Sequence, residues 1–345
     1  MNTIYVNDRS RMLPTILKLI AQIKSVFSDK QWRKFKLPKH KINKIVISGM
    51  GSSLIAFKIV NSLYKNKLKI PTYCVNGFDL PEWTDENTLI IFSSYSGNSK
   101  EVLSCAKQAL NKNSEIIVIS SGGRLIKIVG NKSLFTYTIN KELNFCGQPR
   151  MAVGSSLGIF LNIFYILGVI NIDIISLILG LDRLEKKLLS KRFNNQNELI
   201  AKKISNHSID IISAGFAEGS IQLFSRQLHW NSKHQSASHL APEAMHYFLE
   251  GLNFPNTANK RFFLILYSSL FQKEEKKDLS IIEDYLRLNK LRYLTIKSKE
   301  KTKLLQTIDF LLMSSLISFY LSVVNNFDPT PTPAIEFYKN YSRIK

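Results

Sequence analysis

The amino-acid sequence predicts an α/β fold made of two tandem domains, each a doubly wound parallel sheet flanked by helices. Short, nearly continuous apolar runs alternate with segments of helical spacing, which is typical of parallel strands buried on both faces. The same alternation returns in the second half of the chain. A length of 345 residues is enough for two ordinary hydrophobic cores.

In the first half, five β-branched or apolar runs are predicted as strands, and most of them end in Gly, Ser or Asn. These predicted strands cover residues 44–49, 70–77, 88–97, 115–123 and 133–140. Helical spacing of apolar residues predicts helices over 52–66 and 98–113. The alternation of the two kinds of segment indicates a parallel sheet.

The second half repeats this scheme. Strands are predicted over 208–220, 260–269 and 291–298, and helices over 221–233 and 304–327. A polar, charged segment at 185–203 separates the halves, so we place the domains at 1–185 and 186–345. The one membrane-like stretch, 151–181, contains Asn162, Asn171 and Asp173, and it is predicted as two consecutive buried helices.

The composition excludes several classes of protein. The net charge is +21, but the lysines are scattered and form no arginine-rich or aromatic-interleaved block, which argues against a nucleic-acid partner. A positive field of this kind favours a small anionic substrate. Three widely spaced cysteines and an N-terminus that begins with polar and charged residues predict a cytoplasmic protein without a signal peptide or a membrane partner.

Two segments of the first half place glycines and hydroxyl residues where a strand meets a helix. The segment "SGMGSSLIA" contains Gly51, Ser52 and Ser53, and the segment "SSYSGNSKE" contains Ser94, Ser96 and Ser99. Glycine lets the backbone approach an anion closely, and the start of a helix supplies unpaired N–H groups. Because both segments follow strands of one predicted sheet, we expect them to bind a phosphate together.

A histidine-rich run, "RQLHWNSKHQSASHLAPEAMH" (226–246), holds four of the six histidines. Clustered imidazoles suggest either a metal site or acid/base chemistry. His234 and His239 lack the spacing and the partners of a metal site, so neither a metal nor another cofactor is predicted. Acid/base chemistry is the remaining interpretation of the run.

The ordered set of motifs resembles one family. "GMGSS", "SSYSGNSKE", "SSGG", "QPRMAVGSSLG", "NSK…APEAMH" and "TPTPAIEFYK" occur in the order found in the bifunctional phosphoglucose/phosphomannose isomerases, which are built from two sugar-isomerase (SIS) domains. The resemblance spans nearly the whole chain. It implies a homodimer that converts glucose 6-phosphate or mannose 6-phosphate to fructose 6-phosphate, a reaction of glycolysis and gluconeogenesis, through a cis-enediol.

The resemblance also implies roles for individual residues. The serines and Gly51 of the two loops match the sugar-phosphate site. Arg150 matches the arginine that stabilises the charged enediolate, and a permanently charged guanidinium suits that task. His246 matches the histidine that opens the sugar ring, supplied by the neighbouring subunit. Lys339 matches a lysine that assists ring opening, and Thr332 lies on the same segment.

One departure from the family falls on the chemistry. The family's catalytic base is a glutamate in an Asn-Glu-Asn-Ser/Ala-Lys pattern, whereas this chain has "HWNSK", with Trp230 at the base position. An indole cannot accept a proton from carbon at neutral pH. Three interpretations remain open: His229 or Glu243 substitutes for the base, the protein binds phosphosugars without turnover, or it performs an altered reaction of the SIS type.

Overall fold

The computed structural model describes residues 7–252 and 258–344, and the chain divides into two compact units. One unit is Lys18–Glu185. The other consists of two chain segments: the described residues up to Leu17, and those from Lys186 onward. The first helix, α1 (Met12–Ile16), is part of the second unit because its buried side chains pack against the long helix at 303–324. The sequence-based boundaries had placed it in the first domain.

The unit Lys18–Glu185 is built on a five-stranded parallel sheet. Its helices and strands are α2 (Leu19–Phe27), β1 (Lys44–Gly49), α3 (Ser52–Tyr64), β2 (Thr72–Val75), β3 (Thr88–Ser93), α4 (Lys100–Asn111), β4 (Glu115–Ser120), α5 (Arg124–Val129), β5 (Phe135–Thr138), α6 (Val153–Ile166) and α7 (Ile174–Leu189), the last of which continues past the unit boundary. Short 3₁₀ turns lie at Lys30–Lys34, Gly130–Lys132 and Pro149–Met151. The strand order is β2-β1-β3-β4-β5, so the order reverses between β1 and β3.

Apolar side chains cover both faces of this sheet. On one face α3 packs against α6, where Phe57 lies 5.7 Å from Phe160 between ring centroids. On the other face, residues of β1, β3 and β4 form a buried cluster with α4 and α5. Helix α2 packs closely on α6 because Gly154 has no side chain: a Cβ there would lie 2.5 Å from the Leu19 carbonyl oxygen.

The apolar stretch 151–181 contains two helices, as predicted, but only one is buried throughout. Helix α6 is buried along nearly its whole length, whereas α7 buries one side and exposes Ile175 and Leu179 on the other. Between them, residues 167–173 interrupt the helical structure. Helix α6 is also shorter than a membrane span requires.

The second unit contains a four-stranded parallel sheet of order β7-β6-β8-β9. Its elements after α7 are α8 (Lys191–Ile204), β6 (Ser208–Ala214), α9 (Glu218–Ser232), β7 (Ser236–Ala241), β8 (Arg261–Ser268), α10 (Lys273–Leu288), β9 (Tyr293–Ser298), α11 (Lys303–Val324) and α12 (Pro333–Ile344). The 3₁₀ turns of this unit lie at Gly215–Ala217, Glu243–His246, Glu250–Leu252 and Ala258–Lys260. The two parallel sheets confirm the predicted α/β class.

Helix α11 forms the centre of the second core. Among the described residues it alone is long and apolar enough to cross a membrane, but 89% of its apolar window is buried within the protein. It packs against α8, α9 and α1. Its one carboxylate, Asp309, is fully buried, accepts a hydrogen bond from the Ser298 hydroxyl, and forms an ion pair with Lys187 at 2.6 Å. These contacts account for α11 as a core helix.

Strand β7 was absent from the sequence-based prediction. Its sequence, "SASHLA", carries small and polar side chains, and five of its six residues are only half-buried because the strand lies at an edge of the sheet. Neither an apolar run nor a turn signal identifies such a strand. The strand matters for function because it lies between Trp230 and His246.

Candidate active site

The two serine-rich segments of the first unit meet at the predicted place. They follow β1 and β3, which are hydrogen-bonded neighbours at the reversal of strand order. The Ser93 hydroxyl donates to the Ser53 carbonyl oxygen at 2.9 Å, and the Tyr95 N–H donates to the Ser53 hydroxyl at 3.3 Å. In open parallel sheets, ligands bind in the crevice at this position. The structure therefore brings both predicted phosphate loops into one crevice.

The helices that follow these loops begin at the crevice. Gly51 precedes α3 and Ser99 precedes α4, and neither helix start has a side-chain capping bond from within the described residues. The Ser99 hydroxyl instead lies 3.3 Å from that of Ser94, while Ser96 accepts from the Asn98 N–H at 3.3 Å. Helices α3 and α4 have 13 and 12 residues, so each has a developed dipole. Such a pair of helix starts favours an anion.

Close packing with a third loop fixes the shape of the β3 loop. Gly97 has φ +64°, and a Cβ on it would lie 1.8 Å from the Gly122 carbonyl oxygen, in the loop after β4. The Gly97 carbonyl accepts from the Leu125 N–H at 2.9 Å, and the Ser121 hydroxyl donates to the Tyr95 carbonyl at 2.6 Å. The conformation of Ser96 therefore depends on a glycine at 97.

Arg150 lies on the 3₁₀ turn Pro149–Met151, immediately before α6, and this turn contacts α3. The side chain is buried, with 7% of the residue exposed, and its Nη1 donates to Gln148 Oε1 at 2.8 Å. Burial lowers the pKa of the Arg150 guanidinium to about 10, so the group remains charged at neutral pH. A buried cation of this kind is suited to stabilise negative charge that develops on a bound substrate.

A chain of hydrogen bonds links Arg150 to the phosphate loop. The Asn144 amide donates to the Tyr95 hydroxyl at 3.2 Å and to the Gln148 carbonyl oxygen at 2.9 Å. Gln148 in turn accepts from Arg150 through its side chain. Sequence reasoning missed Tyr95, Asn144 and Gln148, although Tyr95 and Gln148 lie inside the quoted motifs "SSYSGN" and "QPR". Asn144 gave no signal beyond its position four residues before Gln148.

In the second unit, Trp230 lies in the last turn of α9 and is half-buried. The neighbouring Lys233 ends this helix in a left-handed conformation, and its Nζ donates to the Trp230 carbonyl oxygen at 3.0 Å. The same amine donates to the carbonyl oxygens of Asp328 and Pro329 at 3.2 and 3.1 Å. The end of α9 is thereby tied to the segment that leads to Thr332.

His246 lies at the opposite end of strand β7. Helix α9 begins after the carboxyl end of β6 and returns to the start of β7, so Trp230 lies near the amino ends of the strands. His246 follows β7 at its carboxyl end, exposed on the 3₁₀ turn Glu243–His246. A strand of six residues is about 20 Å long. Within one chain, the structure does not bring Trp230 and His246 together.

The two candidates for a substitute base are placed differently. Glu243 is exposed on the His246 turn, at the far edge of the sheet from Trp230. His229 precedes Trp230 on α9, and its Nε2 accepts from the Ser236 N–H at 3.1 Å at the start of β7. An imidazole nitrogen that accepts this bond is occupied in a structural contact. Neither side chain therefore takes the place of Trp230, the predicted base position.

Thr332 directly precedes α12, and its carbonyl oxygen accepts from the Glu336 N–H at 3.0 Å. Lys339 is exposed on α12, whose side chains at 333–339 are exposed as well, with Phe337 at 70% and Tyr338 at 66%. The described residues include no group of three or more His, Cys, Asp or Glu side chains that could hold a metal ion. The three cysteines are free.

A large cavity of the second unit, about 570 Å³, opens at the amino ends of β6, β7 and β8. Its lining includes Asp210, Gln235, Ser236 and Arg261. In parallel sheets, substrates bind at the carboxyl ends of the strands rather than at the amino ends. Size alone therefore does not make this cavity the active site, and the serine-lined crevice of the first unit remains the better candidate.

Comparison with known proteins identifies the second unit and relates the chain to one group of enzymes. Residues 193–341 match the family described as the bacterial phospho-glucose isomerase C-terminal SIS domain. A bifunctional phosphoglucose/phosphomannose isomerase from Caldicellulosiruptor bescii is 26% identical over 336 residues, which cover 95% of this chain and 98% of that protein. A protein of the same name from Aquifex aeolicus is 24% identical over 86% of this chain and 89% of its own.

Solved structures share the fold at low sequence identity. The C-terminal domain of glucosamine-fructose-6-phosphate aminotransferase from Francisella tularensis superimposes with a TM-score of 0.72 at 11% identity, over 94% of this chain and 98% of that one. Tagatose-6-phosphate ketose/aldose isomerase from Escherichia coli has a TM-score of 0.65 at 14% identity, over 93% of each chain. At these identities the likeness concerns the fold alone.

The two parallel sheets thus give the chain the fold of these sugar-phosphate enzymes, and residues 193–341 match a SIS domain. More particularly, the chain is related over most of its length to the bifunctional phosphoglucose/phosphomannose isomerases. The resemblance predicted from the ordered motifs is confirmed.

Proposed function

We propose that this protein is an aldose–ketose isomerase that interconverts glucose 6-phosphate or mannose 6-phosphate with fructose 6-phosphate. The observation that carries the proposal is the crevice between β1 and β3, where two helices begin and where hydrogen bonds connect two serine loops to a buried arginine. The relatives that align over most of the chain are named for this pair of activities.

In this proposal each part of the crevice has its own task. Ser52, Ser53 and Gly51 hold the sugar phosphate together with the loop serines Ser94, Ser96 and Ser99. Arg150 lies beside the oxygen that becomes negative in the cis-enediol, and its charge stabilises that intermediate most strongly in a dry site. Proton transfer between C2 and C1 requires a base and a cation. Arg150 supplies the cation, and because the indole of Trp230 cannot take the proton, we expect water to accept it, about 10²- to 10⁴-fold more slowly than a positioned base would.

We further propose that the working site combines two chains of a homodimer. Trp230 and the Thr332 segment lie together near the amino ends of the second sheet, whereas His246 lies at the carboxyl end of β7. Because Trp230 and His246 lie at opposite edges of that sheet, a site that uses both positions would take them from two copies of the chain. Lys339, on the exposed helix α12, would assist this proton transfer.

A coupled assay that detects fructose 6-phosphate from glucose 6-phosphate tests the isomerase proposal. The purified protein should produce fructose 6-phosphate at a rate clearly above that of the His246→Ala variant, which removes ring opening but leaves the crevice intact. Equal rates for the two proteins at high enzyme concentration would refute the isomerase proposal.

Trp230 favours a second candidate, a phosphosugar-binding protein that has lost turnover. The indole removes the base, and it adds bulk where the family has a carboxylate. This candidate predicts that hexose 6-phosphates raise the thermal midpoint of unfolding while no fructose 6-phosphate forms. Ser96→Ala should weaken that shift; an identical shift in the variant and the wild type, or none in either, would contradict binding at this crevice.

A further inference from the structure

A buried charged cluster lies on the second sheet, and two of its members, Asp210 and Arg261, also line the cavity at the amino ends of β6, β7 and β8. Asp210 on β6 is 2% exposed, and both of its carboxylate oxygens are hydrogen-bonded. His239 Nε2 on β7 lies 2.8 Å from Asp210 Oδ1, while Arg261 on β8 donates from Nε and Nη2 at 2.6 and 2.9 Å. Since a carboxylate only accepts, Nε2 of His239 carries the proton.

This cluster holds an aromatic side chain from the turn that bears His246. The Phe248 ring stacks on the His239 imidazole at 3.6 Å between centroids and 24° between planes. It also meets Phe263 edge-on at 6.2 Å, and the Arg261 guanidinium lies 5.5 Å from its centroid. Phe248 is buried and lies two residues after His246.

The turn has few other attachments to the sheet. Ala244 and Phe248 are its buried side chains, while Glu243, His246 and Tyr247 are exposed. The Phe248 N–H donates to the Ala244 carbonyl at 2.8 Å, so the backbone between these two residues forms a closed turn. The location of His246 therefore follows from the place at which the Phe248 ring is held.

Stability alone is a weak reason for such a cluster. A buried ion pair is often no more stabilising than apolar side chains of the same volume, because its charges lose their hydration. Burial raises the pKa of Asp210, but hydrogen bonds from His239 and Arg261 more than offset this and leave the carboxyl pKa below its usual range. The carboxylate is thus charged at neutral pH and fixes the orientation of the imidazole on which Phe248 stacks.

We propose that Asp210, His239 and Arg261 are positioning residues: they hold Phe248 and thereby place His246 for proton transfer to the sugar ring. This inference rests on the proposed isomerase function for its chemical consequence. The structural part of the proposal, that Phe248 holds the 243–248 turn in place, depends only on the geometry of the second unit.

Two variants weaken the anchor, and one matched variant does not. Phe248→Leu removes the stacked ring. His239→Leu removes the imidazole on which that ring stacks but leaves Asp210 paired with Arg261. Phe262→Leu is the control, because Phe262 is a buried neighbour on β8 whose ring contacts His207 instead. Phe248→Tyr keeps the ring and serves as the conservative variant.

Amide hydrogen exchange, measured by mass spectrometry, reports how firmly the 243–248 turn is held and does not depend on catalysis. Peptides containing the bonded amides of Met245 and Phe248 should exchange about 3- to 10-fold faster in Phe248→Leu and His239→Leu, which corresponds to the loss of one aromatic contact. The control and Phe248→Tyr should exchange as the wild type does. Unchanged exchange in both anchor variants would overturn the proposal.

Steady-state kinetics then test the positioning role. In Phe248→Leu we expect kcat to fall about 10-fold with KM nearly constant, because proton transfer from His246 is impaired while the phosphate loops are untouched. Phe248→Tyr should restore kcat. Faster exchange without any change in kcat would show that Phe248 holds the turn but does not position His246, and this would contradict the proposal. If the wild type has no turnover, the isomerase function is refuted. The exchange rates would then still show whether Phe248 and His239 hold the 243–248 turn.

Discussion

The two units differ in how completely one chain builds its share of the site. In the first unit, hydrogen bonds connect both serine loops to Arg150 within 168 residues of continuous chain. In the second, Trp230, at the predicted base position, and His246 lie at opposite edges of one sheet. The first unit thus holds its predicted site residues together, whereas the second separates them.

The largest effect should come from Arg150, because removing one stabiliser of a developing oxyanion costs about 10²- to 10³-fold in rate. Arg150→Met keeps much of the side-chain volume but removes the charge. We expect kcat to fall by about this factor, with a smaller change in hexose-phosphate affinity. The exposed Arg33→Met is the control and should retain full activity. A fall in affinity without a fall in kcat would assign Arg150 to binding alone.

Gly97→Ala should disrupt the loop after β3, which carries the predicted phosphate-binding serines, by a steric effect. The added methyl would lie 1.8 Å from the Gly122 carbonyl oxygen, in a backbone conformation that alanine adopts only with strain. Affinity for glucose 6-phosphate should fall about 100-fold, since the β3 loop must move. Calorimetric titration measures this, with Gly77→Ala as the control because open space surrounds Gly77. Equal affinities would show that this loop does not bind the phosphate.

Mixing two inactive variants tests whether one site uses two chains. Arg150→Met and His246→Ala should each be nearly inactive. After co-expression, a dimer of one chain of each kind has one site with both native residues. Half of the dimers are then mixed and each has one working site of two, so activity should reach about one quarter of the wild-type level. If co-expression restores nothing, both residues serve the same chain.

The smallest effect should come from Ser99, a predicted phosphate-binding serine at the start of α4. Its hydroxyl lies beside that of Ser94 at the start of α4. Ser99→Ala removes one neutral donor and should weaken hexose-phosphate binding about 3- to 10-fold, while Ser99→Thr should bind at least as well as the wild type. Ser133→Ala, on the loop before β5, is the matched control. An unchanged affinity in Ser99→Ala would remove this residue from the site.

The sequence predicted the first unit better than the second for a physical reason. Its strands are continuous apolar runs, and glycines mark the loops, so both the sheet and the crevice followed from local patterns. Strand β7 has no such pattern, and without it the separation of Trp230 from His246 could not be deduced. The hydrogen bonds of Asn144 and the stacking of Phe248 on His239 depend on tertiary contacts that residue spacing does not contain.

The most direct measurement is the turnover of Trp230→Glu beside Trp230→Gln in the coupled assay. Both changes remove the indole, but only glutamate supplies a base at the position where the family has one. A general base contributes about 10²- to 10⁴-fold, so kcat of Trp230→Glu should exceed that of the wild type and of Trp230→Gln by at least about tenfold. If glutamate gives no more activity than glutamine while glucose 6-phosphate still binds, the isomerase site proposed for this protein is contradicted.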